Sequence, residues 1–239
     1  MKLAIMQPYF FPYIGYWQLI NAVDRFVIYD DVSFINRGWI NRNRILINGA
    51  PHYITVPLVG ASQNKRICDI AMQDTTRWRD KIERSIESAY GRSTCFTETF
   101  PEIRRQIRHE SNNLAEFLAA HLVRMAAFLG IETEIVRSSR IYGNSELRGE
   151  ERIVDICERE GASSYVNLPG GRALYNAESF GIADVKLLFL SSRISPYRQR
   201  TPNFVPNLSI VDTLVEVGKS GVATRLCGYD LAHGGAVAQ

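Results

Sequence analysis

KLAIMQPYFFPYIGYWQLINAVDRFVIYDDVSFINRGWINRNR, residues 2–44, is the stretch on which the fold turns. Leu3-Ala4-Ile5-Met6 and Arg25-Phe26-Val27-Ile28-Tyr29 are apolar runs of strand type. Between them Pro8 and Pro12 break any early helix, and Tyr16, Leu19, Ile20 and Val23 then recur at helical spacing. The order is strand, loop, helix, strand. A crossover of that length predicts parallel pairing with the helix across one face of the sheet. The loop and the helix start then open at the carboxyl ends of the strands, where open α/β sheets bind ligands.

The loop is dense in rings: Tyr9, Phe10, Phe11, Tyr13, Tyr16 and Trp17 fall within nine residues, around Pro12 and Gly15. A core uses two or three such rings in one turn, because further phenols run short of hydrogen-bond partners. Two readings follow, an aromatic hinge packed under the sheet or a pocket wall for a planar or sugar-like ligand that Gly15 makes approachable. The pocket is preferred. After the second strand come Asp30-Asp31, whose carboxylates point to opposite sides of an extended chain, so that one faces a ligand while the other caps a turn. Arg37, Trp39, Asn41, Arg42, Asn43 and Arg44 follow, a set of forked donors suited to phosphate or carboxylate.

Outward from this stretch, the next signal is a hairpin, Arg44 to Ile47 and His52 to Val56 about an Asn48-Gly49 turn. Residues 75–130 read as a helical segment. Trp78, Ile82, Ile86 and Tyr90 form one stripe; a second helix runs from about Thr99 to Arg108 with Pro101 in its first turn; a third carries Leu114, Phe117, Leu118, His121, Leu122, Met125 and Phe128 and stops at Gly130. His121 sits on that apolar stripe as a packed structural histidine. Further strands are expected at Ile131 to Val136, Ser163 to Asn167 and Ile182 to Leu190, with helices at Ser145 to Glu160, Tyr175 to Phe180 and Leu208 to Val217. Pro169-Gly170-Gly171 after a strand lets backbone amides approach a ligand, Ser195 to Gln199 is a loop of donors, and Asp212 suits the helix dipole. The tail from His233 is expected to be disordered.

The fold class is therefore α/β, a mostly parallel Rossmann-like sheet flanked by helices with a helical subdomain. One domain is expected over residues 1–218, with the helical insertion at about 75–130 and a tail over 219–239. Apolar content of 46% and charged content of 22% suit a globular protein, and a formal charge of +3 is too small to point to nucleic acid. No apolar run is long enough to span a bilayer and residues 1–20 lack a signal-peptide pattern, so a cytoplasmic protein without a transmembrane segment is expected. Cys68, Cys95, Cys157 and Cys227 lie far apart, as do the histidines, so neither disulfides nor a structural metal are expected. A magnesium ion held by Asp30 or Asp31 together with a nucleotide's phosphates would leave little trace in a sequence.

Met6-Gln7-Pro8-Tyr9-Phe10-Phe11-Pro12-Tyr13-Ile14-Gly15-Tyr16, Asp30 to Phe34 and Arg37 to Arg44 together closely resemble the signature of the WbqC-like family. Tyr165, Pro169-Gly170-Gly171, Tyr175, Tyr197-Arg198-Gln199 and Phe204 to Asp212 fit the same pattern, and the resemblance runs from about residue 2 to about 218. Members tend to be encoded with enzymes of O-antigen and nucleotide-sugar pathways, which implies a biosynthetic transferase acting on a small molecule. The strand, Pro12 to Tyr16, helix, strand order is also similar to that of the HIGH-motif nucleotidyltransferases. There Tyr13 and Tyr16 stand in place of histidines, and a neutral phenol does not supply an imidazolium charge.

The expected site follows from both lines. Asp30, Asp31 and Arg42 are the expected catalytic residues. Substrate is expected to contact Gln7, Tyr9, Tyr13, Gly15, Tyr16, Arg37, Trp39, Asn41, Asn43, Arg44, Gly170, Gly171, Tyr175, Tyr197 and Gln199. The leading reading is an ATP- or nucleotide-sugar-using transferase. An acyl or aminoacyl transferase acting on an amino sugar, and a non-catalytic sugar- or peptide-binding module, are the alternatives.

Overall fold

Lys2–Met6 (β1) is buried on both sides, and the residues divide by parity: Ala4 packs into one apolar core, Leu3 and Ile5 into another. A strand covered on two faces is the signature of a parallel sheet. In the computed structural model, which describes residues 1–73 and 75–234, the chain continues with α1 (Ile14–Asn21) and β2 (Arg25–Ile28). β3 (Arg42–Ile47) and β4 (Ala50–Thr55) form the hairpin, followed by β5 (Leu58–Val59) and β6 (Ala71–Met72). Then come α2 (Arg77–Tyr90), α3 (Phe96–Ile107), α4 (Leu114–Leu129), β7 (Glu134–Val136), α5 (Gly149–Arg159), β8 (Ser164–Asn167), α6 (Ala177–Ile182), β9 (Lys186–Ser192), α7 (Ile210–Leu226) and β10 (Tyr229–His233).

The main sheet has six strands in the order β10-β9-β8-β1-β2-β7, parallel except for the β9–β10 pair. The α/β architecture with a mainly parallel sheet is therefore as the sequence reads. From β1 the chain lays strands outward to one side through β2 and β7, then returns to lay β8, β9 and β10 on the other. The strand order thus reverses between β1 and β8. One face of the sheet carries α1 to α4 and α7 over a large core, and the other carries α5 and α6 over a smaller one.

Local chemistry explains where elements differ from expectation. The hairpin turn has Asn48 and Gly49 at φ 51° and 77°, as a tight turn matching strand twist needs. α3 begins a turn earlier than Pro101 suggests, because Phe96 and Phe100 stack at 4.6 Å; the proline therefore lies inside the helix. β7 begins late, because the Ile131 N–H turns back to the Ala126 carbonyl to close α4 behind left-handed Gly130. The helical segment 75–130 shares the large core with α1 and α7 and forms no core of its own. The tail expectation is corrected in part: α7 runs to Leu226 across a kink at Gly218, and Tyr229–His233 pairs along β9. Residues 235–239 of that tail lie outside the described residues.

Candidate functional site

The reversal between β1 and β8 opens a crevice of about 510 Å³ at the carboxyl ends of the strands. Ile5, Met6 and Gln7 come from the end of β1, and Tyr29 follows β2. Asn167, Leu168, Pro169, Gly170 and Gly171 come from the end of β8 and the turn after it. Tyr9 and Tyr13 from the aromatic loop, Ile35 and Trp39 from the loop before β3, and Leu174 and Tyr175 close the sides. Five aromatic side chains thus line the space, and none of its lining residues is an acid or a base. Burial pushes the phenols of Tyr9, Tyr13, Tyr29 and Tyr175 above their ordinary range, so all four stay neutral hydrogen-bonding groups at neutral pH.

The loop between β1 and α1 does both jobs that the sequence left open. Phe10, Phe11, Tyr16 and Trp17 are buried in the large core, while Tyr9 and Tyr13 face the cavity. The turn hinges on Phe11, held at φ 42°, a left-handed conformation unusual for a bulky residue. Its N–H donates to His121 Nε2 at 3.1 Å, and its carbonyl accepts from Asn43 Nδ2 at 2.9 Å and Ser209 Oγ at 3.0 Å. Tyr16 is a structural group as well: its hydroxyl donates to the Gln7 carbonyl at 2.8 Å. Gly15 permits the wall, since a Cβ there would lie 2.5 Å from Cε2 of Tyr13. Gly171 does the same across the crevice, where a Cβ would stand 2.8 Å from the Asn167 amide nitrogen. That amide donates to Tyr165 at 3.1 Å, and the Tyr165 and Tyr175 hydroxyls meet at 3.5 Å under the floor.

Asp30 and Asp31 lie behind the cavity, 1% and 6% exposed, and neither carboxylate lines it. Asp30 accepts from Ser138 Oγ at 2.8 Å and from the Ser139 N–H at 3.1 Å. Burial raises its pKa, opposed by the Ser138 hydroxyl, the Arg140 charge and the Ser139 amide. Asp31 accepts from Arg152 at 2.6 Å and from the Ser139 hydroxyl. Arg152 in turn lies 5.0 Å from the centre of the Tyr29 ring, so the acids fix a wall residue of the cavity. The two carboxylates expected to act as general base or ion ligand thus have their oxygens engaged by hydroxyls, an amide and a guanidinium, and neither lines the cavity.

The arginines are placed differently again. Arg37, Arg42 and Arg44 do not line the cavity; Arg37 and Arg42 border a separate hollow with Asn36, Asn41 and Thr55. Arg42 donates to the carbonyls of Gly38 and Arg37 and stacks on Tyr53 at 4.3 Å, so it shapes the loop that carries Trp39. Arg44 lies 5.3 Å over the Trp39 ring, which does line the cavity. Asn41 is held on the Val56 carbonyl, and Asn43 on the carbonyls of Phe10 and Phe11. Of the residues expected to contact substrate, Tyr9 and Tyr13 thus line a neutral cavity, and the arginines lie beside it.

A family model for the WbqC-like protein family matches residues 7–224. The chain belongs to the WbqC-like family. It is 29% identical over 220 residues to the uncharacterized protein Rv1507c of Mycobacterium tuberculosis, covering 91% of this chain and 94% of that one. No solved structure matches.

Of the family's later landmarks, Gly170, Gly171 and Tyr175 join the cavity, whereas Tyr197 and Gln199 do not. The Tyr197 hydroxyl donates to Asp212 at 2.6 Å, Gln199 Nε2 to the same carboxylate at 2.9 Å, and Tyr90 to its other oxygen at 2.8 Å. Asp212 is therefore a buried acceptor joining α2, α7 and the loop before it, where the sequence suggested a helix-dipole charge. Burial raises its pKa against the pull of these donors. The WbqC-like cavity also uses residues that sequence reasoning passed over, chiefly Tyr29, Ile35, Asn167 and Leu174. Tyr29 and Asn167 had a readable signal, since each stands at the carboxyl end of a predicted parallel strand. Ile35 and Leu174, 51% and 68% exposed, had none.

Among the described residues no helix is long and apolar enough to cross a membrane, and no group of three His, Cys, Asp or Glu side chains converges on one point.

Proposed function

We propose that this WbqC-like protein is a transferase of glycan or related small-molecule biosynthesis, in which the crevice between β1 and β8 holds the sugar or base of a nucleotide donor. The observation that carries the reading is the cavity itself, neutral and aromatic, at the reversal of strand order. Rings of Tyr9, Tyr13, Tyr29, Trp39 and Tyr175 suit a planar base or the apolar face of a sugar, and the amides of Gln7 and Asn167 with the phenols supply directional hydrogen bonds. With no charged side chain in its wall, the crevice contributes placement and exclusion of water, and the charge of the donor lies outside it. A magnesium ion would be carried by the donor's phosphates. The pathways with which the family is associated favour a nucleotide sugar.

The test is thermal shift and calorimetric titration with UDP-N-acetylglucosamine, ATP with magnesium and acetyl-CoA. A stabilising nucleotide sugar or ATP, with the shift lost in Tyr13→Ala, is the expected result. A response to acetyl-CoA alone would turn the reading to acyl transfer. Silence toward all three ligands would leave a non-catalytic binding module.

A further inference from the structure

Between Asp31 and Asp69 the chain contains no Asp or Glu, yet it carries Arg37, Arg42, Arg44, Lys65 and Arg66. Against a formal charge of +3 for the whole chain, this segment is where the positive charge is concentrated. Arg66 is compensated by Asp69 at 2.8 Å. Arg37, Arg42 and Arg44 form no ion pair among the described residues. The buried Nε of Arg44 has no hydrogen-bond acceptor, and Arg37 is exposed. Like charges on one surface repel, and among the described residues no carboxylate pairs with these three arginines to offset it.

The geometry places two of these charges on one face of the hairpin, and Arg37 lies on the loop that leads into β3, where its carbonyl accepts from Arg42. In the hairpin register Arg44 faces Tyr53 and Arg42 faces Thr55, so the two arginines share one face of the ribbon. Arg42 lies 4.3 Å over Tyr53, Tyr53 is 6.2 Å from Trp39, and Arg44 lies 5.3 Å over Trp39. Guanidinium groups and rings interleave on that face, and Trp39 belongs to both this face and the cavity wall. Stacking leaves the forked N–H edge of a guanidinium open to an oxyanion. Arg42 spends two of its nitrogens on backbone carbonyls, which makes Arg44 and Arg37 the donors with free capacity.

We infer that the outer face of the β3–β4 hairpin, with Arg44 and Arg37, binds the pyrophosphate of a nucleotide-linked donor whose neutral portion enters the cavity beside Trp39. The inference rests on the proposed function for the neutral portion only; the anion site stands on the arginines. It divides one substrate between two surfaces of opposite character, a dry aromatic crevice and a cationic ledge. Nucleotide sugars and acyl-CoA share this chemistry, since each joins a pyrophosphate to a neutral group.

Inorganic pyrophosphate is the probe, titrated by calorimetry into the wild-type chain, Arg44→Gln, Arg37→Gln and Tyr13→Ala. Wild type should bind with an affinity that falls as salt is added, each arginine variant should bind about tenfold more weakly, and Tyr13→Ala should match wild type. Equal binding by wild type and both arginine variants, or no binding by wild type, would overturn the inference. If Arg44→Gln melts early, Arg37→Gln decides alone, because that exposed side chain makes no hydrogen bond or ion pair among the described residues. UDP-N-acetylglucosamine and acetyl-CoA then distinguish the sources. The true donor binds more tightly than pyrophosphate and loses affinity in both Arg44→Gln and Tyr13→Ala. Pyrophosphate binding without any donor binding would keep the ledge and defeat the proposed function.

Discussion

Phe11 concentrates the strain of the loop into one backbone angle, and His121 is the group that holds it. Because Nε2 accepts the Phe11 N–H, the ring must be neutral with its proton on Nδ1. Full burial and the nearby His109 depress its pKa to about 3. The unfolded chain takes up a proton on this histidine below the ordinary value of about 6.5, while the folded chain refuses it. Stability from this site is therefore complete above that value and is lost as pH falls toward 3. Between these limits wild type should lose about 1.4 kcal/mol per pH unit relative to His121→Gln, whose amide oxygen can still accept from Phe11. Urea unfolding of both proteins at several pH values reads this difference directly. Parallel pH dependence in the two would mean that the histidine is protonated in the fold.

Two elements meet where α5 docks near the end of β2, and a buried ion pair between Arg152 and Asp31 joins them. Arg152 and Asp31 are 3% and 4% exposed at their side chains and 2.6 Å apart, with Asn144 accepting from the guanidinium at 3.0 Å. Removing one partner strands the other charge away from water, which costs about 3–5 kcal/mol, whereas removing both is far milder. Arg152→Leu should therefore unfold at much lower urea than wild type, and Arg152→Leu with Asp31→Leu should recover much of the loss. A single-variant loss below about 1 kcal/mol would show a pair that carries no such penalty. The pairing also marks the limit of sequence reading. β1, β2, the Asn48-Gly49 hairpin and the stop of α4 at Gly130 were legible because each depends on period or on turn chemistry within a few residues. Asp31 and Arg152 are 121 positions apart, and Tyr90 and Asp212 are 122 apart, so no local rule joins them. Asn43 was the nearer miss. It shares the buried face of β3 with Ile45, and that alternation already turned its amide away from solvent.

At the scale of the whole molecule the candidate site is an assembly of three distant segments on a frame that none of them builds alone. The aromatic loop supplies one wall, residues 35–39 a second and residues 167–175 the third, while β1 and β8 pair as Lys2↔Ser164 and Leu3↔Tyr165 beneath them. The parallel register and the crossover rule explain why this crevice was foreseeable in position. They do not say which side chains turn toward it, and that is why Tyr16 and Asn43 were assigned to the ligand and Tyr29 was not. A molecule bound in the crevice must touch all three segments together, so amide hydrogen exchange offers a test that needs no assumption about chemistry. With a bound donor, exchange through local opening should slow jointly at residues 7–13, 35–39 and 167–175, while amides of the α4 core, which open with the whole fold, slow by no more than the overall stabilisation that binding confers. The contrasting hollow lies on the other face of the sheet, between Glu150, Glu151, Asp155 and Glu158 of α5 and Ile182 of α6. Protection confined to that acidic surface, with the three segments unaffected, would move the site away from the strand ends and remove the basis for reading the tyrosine crevice as the place where substrate is held.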